Sequence, residues 1–296
     1  MSALSTIAPT LPSSPSNRLP RHRLVCGIIP HPLEKEDLSQ FYILVTRRCN
    51  MNCPYCIESQ VNTGGFMSEE DFIHSLNLAK QLKMKTVYLH GGEPTIHLDI
   101  VHYAQLAKNF GFYVNMFTNG LREDVLRKLD GIVDEIRFSY EPGRDYMFHA
   151  QSEWKSRIKL YIMATIKSYP TESNLMDVIN RALSLEMGVK VRTLNPVNPY
   201  AYENQFVPYL HNRILEIPVD KLFCDGNKIA FKMENGVVVR LGNLQLNPGH
   251  LKFSVTPDGK LQDHFNHSDK KSIIPDPKIE SMLQQFEPLR QWMLNL

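Results

Sequence analysis

From residue 41 onward, hydrophobic and polar positions follow two periods that take turns along the chain. Short runs of β-branched and aromatic residues, typical of strands, are followed by longer stretches with the spacing of amphipathic helices. Predicted strands cover 41–46, 85–90, 112–117, 133–140, 158–166 and 189–194, and predicted helices cover 68–83, 98–110, 121–129, 146–157 and 173–187. This order predicts an α/β fold with a parallel sheet and right-handed crossovers. Six strands are too few for a closed eight-fold barrel, so we expect a partial (β/α)6 barrel.

The regions on either side lack this alternation. Residues 1–24 are rich in proline and serine and have no hydrophobic period, so we expect a flexible arm. Because this arm is poor in acidic residues and contains arginines, an organelle transit peptide is the alternative. After the core at 25–195, residues 196–296 change to short strand-like runs, turns and a last helix at 279–294, which predicts a small α+β extension.

Charge and composition exclude several classes of protein. The 296 residues contain 33 basic and 31 acidic side chains, a balance that gives no reason to expect nucleic-acid or anionic-membrane binding. No apolar stretch approaches the ~20 residues of a membrane span. Five cysteines, an odd number with three of them between 49 and 56, do not form a secreted disulfide framework. The pattern indicates metal chemistry in a reducing compartment, so we expect a cytoplasmic protein.

The candidate chemistry starts in the loop after the first predicted strand. Cys49, Cys53 and Cys56 lie close enough in sequence to bind three corners of one metal cluster. Soft sulfur ligands select iron–sulfur, zinc or copper(I), and three ligands where a cluster needs four leave one iron open. A zinc site completed by a distant histidine, or buried free thiols, are the alternatives.

A second motif, Gly91-Gly92-Glu93-Pro94, follows the second predicted strand. In a parallel α/β barrel it lies at the same end as the loop after the first strand. Glycines allow close approach of the backbone to a ligand, and the carboxylate of Glu93 suits an ammonium group. Alone, the tetrapeptide could be only a tight turn.

With both motifs present, the chain resembles the radical S-adenosylmethionine (radical SAM) superfamily over residues ~41–195. The C-x3-C-x2-C loop with Tyr55 before its third cysteine and the GGEP turn are two common marks of that family. Three further segments fit in order: 117–120 resembles its Thr-Asn-Gly turn, 137–140 its serine-bearing strand end, and 191–194 an arginine-bearing strand. The last of these resembles the branch that includes molybdenum-cofactor biosynthesis protein A.

The resemblance implies the chemistry. Cys49, Cys53 and Cys56 would hold a [4Fe-4S] cluster whose open iron binds the amino and carboxylate groups of S-adenosyl-L-methionine (SAM). An electron, supplied by reduced flavodoxin or ferredoxin, would cleave SAM to methionine and a 5′-deoxyadenosyl radical. That radical would remove a hydrogen atom from the substrate.

The resemblance also implies contacts to SAM. Tyr55 would lie near the adenine, Glu93 would hold the methionine amino group, and Arg192 would support the cofactor from the barrel floor. Thr118 and Ser139 would contact the ribose or the carboxylate. The full implied set is Tyr55, Gly91, Gly92, Glu93, Thr118, Asn119, Ser139 and Arg192.

Simpler roles stay open for these residues. Thr118 and Asn119 could cap the next helix, Ser139 could simply end a strand, and Arg192 could form an ion pair inside the barrel.

The C-terminal region departs from the two-cluster members of the family, which bind a second cluster through C-terminal cysteines. Segment 251–261 resembles the hairpin of their twitch extensions, but 262–264 holds no cysteine, and the chain ends without the Gly-Gly tail of molybdenum-cofactor protein A. Cys26 and Cys224 alone cannot complete a four-cysteine site. We therefore expect a twitch-like extension without a cluster that covers the barrel mouth, and not molybdenum-cofactor synthesis.

Two features of this extension invite a role. Cys224 could return a hydrogen atom to a substrate radical, as single cysteines do in some radical SAM epimerases, or it could be a small buried hydrophobe. The aromatic segment 196–208 is predicted to line the substrate entrance. His264 and His267 could bind a metal, but nothing shows a third ligand, so a solvated polar loop is the explanation we favour.

The resemblance thus predicts an enzyme that abstracts a hydrogen atom from a small molecule or peptide in a biosynthetic pathway. An activating enzyme that generates a glycyl radical on a partner protein is the first alternative. A non-enzymatic, cysteine-rich metal-binding protein is the second, but it leaves the GGEP turn unexplained.

Overall fold

A computed structural model describes residues 23–26, 39–53, 56, 65–164, 172–193, 219–225, 228–243 and 251–263. The strands are β1 (Arg23–Cys26), β2 (Ser39–Thr46), β3 (Thr86–Gly91), β4 (Tyr113–Thr118), β5 (Glu135–Tyr140), β6 (Arg157–Ala164), β7 (Gly188–Thr193), β8 (Val219–Asp225), β9 (Lys228–Met233), β10 (Val238–Asn243), β11 (Leu251–Val255) and β12 (Leu261–Asp263). The helices are α1 (Glu69–Gln81), α2 (Ile100–Asn109), α3 (Glu123–Leu129), α4 (Tyr146–Glu153) and α5 (Glu172–Ser184), with a 3₁₀ turn at Pro94–Ile96. No helix within these ranges is long and apolar enough to cross a membrane.

The twelve strands of the described residues form one sheet, in the order β1-β8-β9-β10-β7-β6-β5-β4-β3-β2-β11-β12. The eight strands from β10 to β11 in this order pair in parallel, while β9 and β12 run antiparallel to their neighbours. The two edges, β1 and β12, do not pair with each other, so the sheet is open. The predicted α/β class and open parallel sheet are confirmed.

The parallel part of the sheet is larger than the six strands predicted. β10 adds to the edge at β7, and β11 adds to the edge at β2, so strands of the C-terminal region continue the core sheet. Their short alternating sequences resemble hairpin strands. Their pairing with the core sheet is a long-range contact, so their own sequences do not indicate it. The division into a core at 25–195 and an extension at 196–296 stays a prediction.

Two strands were not predicted. β8 falls between the predicted segments, and β1 begins at Arg23, so the predicted arm 1–24 extends two residues too far. β1 is only four residues long, too short for its alternation to be distinguished from irregular chain. The rest of the arm, the aromatic segment 196–208 and the predicted helix 279–294 lie outside the described residues.

The sheet has two faces of different character. On one, residues such as Ile136, Leu160 and Val191 are buried with the apolar stripes of the helices, including Leu76 of α1 and Leu126 of α3. Because side chains alternate along a strand, the residues between them point to the other side, which we call the inner face. Its apolar part is a small cluster of Tyr42, Leu44, Tyr88 and Phe117.

The start of α1 agrees with its sequence signals. The side-chain oxygen of Ser68 accepts a hydrogen bond from the backbone N–H of Asp71 at 3.1 Å, and three acidic residues occupy the first turn. This is the cap that the sequence predicts.

A buried arginine, Arg137, lies in the middle of the inner face. The guanidinium of Arg137 is paired with Glu135, donates to the hydroxyl of Tyr161 at 2.9 Å and lies 4.7 Å from the ring centre of Tyr88. Burial alone would raise the pKa of Glu135, but Arg137 and Lys159 outweigh it and hold that pKa below its ordinary value. The charge of Arg137 is therefore matched by a carboxylate and a surrounding set of rings.

The central position of Leu160, fully buried on β6, leads to a stability prediction. Leu160→Ala removes three buried carbon atoms and leaves a cavity between the sheet and the helices, which should lower the free energy of unfolding by about 2–5 kcal/mol. Urea unfolding followed by circular dichroism measures this loss. Leu121→Ala, at a position 48% exposed, is the matched control and should stay within about 0.5 kcal/mol of wild type. Equal losses in the two variants would contradict the burial pattern.

Candidate cluster and cofactor site

The cysteine loop leaves the sheet at the end of β2. Cys49, Cys53 and Cys56 are all half-buried and free of disulfides. The backbone N–H of Cys56 donates to the carbonyl of Cys53 at 3.0 Å, and that of Met51 donates to Sγ of Cys49 at 3.4 Å. Burial raises the pKa of the Cys49 thiol, and the nearby Glu93 and Cys56 raise it further. Tyr55 lies outside the described residues.

Two glycines bring the GGEP turn against this loop. Gly92 N–H donates to the carbonyl of Thr46 at 2.9 Å, and Glu93 N–H donates to the carbonyl of Arg48 at 2.9 Å. A Cβ on Gly91, whose φ is +149°, would lie 2.2 Å from the Thr46 oxygen, and one on Gly92 would lie 2.2 Å from the Arg48 oxygen. The glycines are thus required for the approach of two protein segments to each other.

Glu93 is 1% exposed and its carboxylate accepts four hydrogen bonds. Oε1 accepts from the backbone N–H of Thr95 at 3.0 Å, from the Thr95 hydroxyl at 2.5 Å and from the Thr118 hydroxyl at 2.8 Å, while Oε2 accepts from the backbone N–H of Asn119 at 2.7 Å. Burial raises the pKa of Glu93 above its ordinary value despite these donors. The side chain therefore joins the GGEP turn to the end of β4.

The Thr-Asn-Gly turn completes this arrangement. The Thr118 hydroxyl also accepts from the backbone N–H of Gly120 at 3.0 Å. The side-chain nitrogen of Asn119 donates to Oδ1 of Asn50 at 2.7 Å and lies 3.9 Å from Sγ of Cys49. Neither residue caps α3, which begins at Glu123, so the capping alternative is wrong.

Arg144, which the sequence analysis did not single out, connects three loops at this end of the sheet. Its Nη1 donates to the carbonyls of Asn119 at 2.6 Å and Ser139 at 3.3 Å, and its Nη2 donates to Sδ of Met51 at 3.1 Å. No motif marks this arginine, because its three partners come from loops far apart in the sequence and two of them are backbone carbonyls.

The remaining predicted SAM contacts lie on the inner face. Ser139 is exposed at the end of β5, and Arg192 is half-buried on β7. Within the described part of the chain Arg192 forms no ion pair, so the structure does not bear out the ion-pair alternative there. The pairing registers place Ser139 beside Tyr161, and Arg192 beside Met163, on β6.

Cys26 and Cys224, distant in sequence, are direct partners in the pairing of β1 with β8. Across β9, β10 and β7, the row of Cys224 continues through Ile229, Leu241 and Val191. The side chain of Val191 is buried in the core on the helix side. The hydrogen-donor role of Cys224 stays a prediction.

The donor set fits an iron–sulfur cluster better than a single ion. Among the described side chains, no three histidines, cysteines or acids are grouped as one metal ion requires. A zinc ion binds each sulfur at about 2.3 Å and so needs its ligands gathered around one point, whereas each corner iron of a cluster takes a single cysteine. Three half-buried thiols in one loop suit the second case. His264 and His267 lie outside the described residues.

Comparison with known proteins gives these residues a family. Residues 43–185 match the model of the Radical SAM superfamily. This domain belongs to the radical SAM superfamily. Enzymes of this superfamily use a [4Fe-4S] cluster and SAM, and residues 43–185 contain both the cysteine loop and the GGEP turn.

Three similar proteins illustrate the range within the family. The "Probable GTP 3',8-cyclase" of Methanothermobacter marburgensis is 25% identical over 289 residues, which cover 86% of this chain and 95% of that protein. A Methanocaldococcus jannaschii protein named as a glycyl-radical enzyme activating enzyme is 34% identical over 34% of this chain and 39% of its own length. The crystal structure of Streptococcus suis SuiB bound to its precursor peptide SuiA has a TM-score of 0.59, 11% identity, and coverage of 85% and 69% of the two chains. This last likeness supports the fold alone.

The bond from Thr118 to Glu93 leads to a prediction about the site. Thr118→Val keeps the shape of the side chain but removes one donor from a buried carboxylate and the acceptor of Gly120 N–H, which should cost about 1–3 kcal/mol of unfolding free energy. Urea unfolding of the protein before cluster loading measures it. Thr86→Val, at the opposite end of the sheet, is the control; a Thr118→Val variant as stable as wild type would mean that the bond contributes nothing.

The three-loop contact of Arg144 leads to a second prediction. Arg144→Gln should reduce the stabilisation of the cysteine loop by about 1.5–3 kcal/mol, the usual value of charged hydrogen bonds. The reconstituted cluster should therefore be lost faster to a chelator. The decay of the visible absorbance measures the rate.

Arg144→Lys and Arg122→Gln are the companion variants. Lysine keeps the charge but lacks the two-nitrogen fork, so intermediate loss rates are expected. Arg122, on the surface beside Asp124, should tolerate its change. Identical loss rates in all four proteins would contradict the role given to Arg144.

Proposed function

We propose that Cys49, Cys53 and Cys56 hold the cluster of an enzyme that abstracts a hydrogen atom from a small-molecule or peptide substrate in a biosynthetic pathway. The observation that carries the proposal is the meeting of three motifs at one end of the parallel sheet. The cysteine loop is bonded to the GGEP turn through backbone groups, and to the Thr-Asn-Gly turn through Asn119.

The bound cluster and SAM together supply reductive cleavage of SAM and removal of a hydrogen atom from the substrate. The contribution of the chain begins with the thiols, which must lose their protons to bind iron. For Cys49 this costs more than usual because burial raises its pKa. The side-chain N–H of Asn119, 3.9 Å from Cys49 Sγ, is placed to stabilise the thiolate that results.

For SAM itself we propose the contact residues that the resemblance to the family implies. The geometry of the site distinguishes two groups among them. The Thr118 hydroxyl donates a hydrogen bond to the Glu93 carboxylate. This bond supports a positioning role for both residues, in addition to any direct contact with SAM. Ser139 and Arg192 are more open to a ligand on the inner face. The full proposed set is Tyr55, Gly91, Gly92, Glu93, Thr118, Asn119, Ser139 and Arg192.

The similar proteins differ in substrate, and the proposal therefore remains at the level of substrate class. The relative that this chain spans almost completely is named for GTP, and SuiB was crystallised with a peptide. The activating-enzyme relative supports a second candidate, an enzyme that generates a glycyl radical on a partner protein. Its similarity covers only a third of this chain, so we rank it below the first.

Two accompanying proposals concern the cell. Reduced flavodoxin or ferredoxin supplies the electron, and the enzyme works in the cytoplasm, where three thiols in one loop stay reduced. We also propose that Cys224 donates a hydrogen atom to the substrate radical. A Cys224→Ala variant that turns over substrate as wild type does would contradict this role.

Removal of the cluster ligands tests the proposal. Anaerobically reconstituted wild-type protein should hold ~4 irons per chain and absorb near ~400 nm, and the triple Cys49/Cys53/Cys56→Ala variant should fall to near zero. SAM cleavage with dithionite, measured by chromatography, should disappear with the iron.

Cys26→Ala is the matched control, since it removes a thiol from another part of the sheet and should keep both iron and cleavage. A triple variant that still binds about four irons would place the cluster elsewhere. A colourless wild-type protein that binds zinc would defeat the enzymatic proposal altogether.

A further inference from the structure

On strands β7, β9 and β10, every charged residue falls on the same set of alternate positions. On β7 and β10, the side chains of Val189, Val191 and Val239 are buried in the core on the helix side. On β7, Lys190 lies between Val189 and Val191, and Arg192 follows Val191; both basic residues are half-buried. The alternate positions of β7 therefore belong to the inner face.

The pairing registers extend these alternate positions across the sheet. Lys190 is opposite Arg240 on β10, and Arg192 is opposite Gly242, which is in turn opposite Lys228 on β9. Val238 is opposite Lys232 in the same alternation. We call these positions the basic rows; the charged residues in them are Lys190, Arg192, Lys228, Lys232 and Arg240.

The sign of these charges is not what a solvated face would give. All five charged residues of the three strands are basic and all five fall in the alternate rows, in a chain that has 33 basic and 31 acidic residues overall. The next strand, β8, adds Lys221 opposite Lys232 and Asp225 opposite Lys228, and a second acid, Asp220, at the irregular pairing between Val219 and Lys221. A concentration of one sign on one face of a sheet produces a positive potential there.

The basic rows are continuous with the proposed site. Ser139 on β5 is opposite Tyr161 on β6, which is opposite Lys190 on β7. The ammonium of Lys190 lies 5.3 Å from the ring centre of Tyr161, so this row is packed and connected at the side-chain level. Arg192, one of the proposed SAM contacts, belongs to the next row. A substrate held against the inner face beside SAM would therefore meet this positive potential.

We propose that the basic rows bind a multiply charged anionic group of the substrate, a phosphate or carboxylate group. The inference rests on the proposed function for the identity of the ligand as substrate. Three neighbouring strands span about 10 Å at the usual spacing of 4.7–4.9 Å, enough for several anionic oxygens to be bound at once. Arginine and lysine side by side provide both forked and point-like donors for such oxygens.

The test is calorimetric titration of the reconstituted full-length protein with two probes, inorganic tripolyphosphate and citrate. The double variant Lys190→Gln/Arg240→Gln should weaken binding of the preferred probe at least ~10-fold, the effect of about 1.4 kcal/mol. The charge-conserving variant Lys190→Arg/Arg240→Lys should retain the affinity within about 3-fold and shows that loss is not a folding defect. Tighter binding of tripolyphosphate assigns a phosphate-bearing substrate, and tighter binding of citrate a carboxylate-bearing one.

A second double variant separates a site from general charge. Arg122→Gln/Lys128→Gln removes the same two positive charges from the exposed surface around α3 and should bind the probes as wild type does. Equal loss in the two glutamine doubles, or no probe binding by wild type, overturns the inference. SAM cleavage without substrate is measured on the wild type separately. Its absence would defeat the proposed function while the titrations still decide the anion site.

Discussion

The backbone contact between the cysteine loop and the GGEP turn is the constraint on which the rest of the site depends. Two N–H groups of the turn donate to the Thr46 and Arg48 carbonyls, at a distance that leaves no room for a side chain on either glycine. Because the loop is thereby fixed to the end of β3, three thiols between 49 and 56 occupy one side of the sheet end. Without this contact a loop of that length would be free to sample many arrangements.

A buried carboxylate extends this constraint to a third strand. Glu93 accepts bonds from Thr95, Thr118 and Asn119, and so joins β3 to β4 above the sheet. An ionised group that is 1% exposed is expensive unless its oxygens are satisfied, so this carboxylate also requires those donors to be present. The side chain of Asn119 in turn donates a hydrogen bond to Asn50, which connects β4 back to the cysteine loop. The site is a closed ring of contacts in which each segment fixes the next.

This dependence explains which parts could be predicted from the sequence. The parallel α/β order, the cap at Ser68 and the meeting of the motifs at one sheet end follow from local patterns and from strand direction, and all of them are present. The inward use of Glu93, the bridging role of Arg144 and the pairing of Cys26 with Cys224 depend on loops and strands that are far apart in the chain. The attachment of β10 and β11 to the sheet edges is of the same kind, since strand neighbours are chosen by tertiary packing.

The two faces of the sheet divide the work between stability and chemistry. The helix side is mostly apolar, so it can bury alternate residues of the central strands without reference to a ligand. The inner face has a closed, ring-lined middle around Arg137 and more open positions such as Ser139 and Arg192. Because Arg137 is already neutralised by Glu135, its charge adds little to the field that a ligand meets. The other charges of this face lie on the strands around β7, where every charged residue of β7, β9 and β10 is basic.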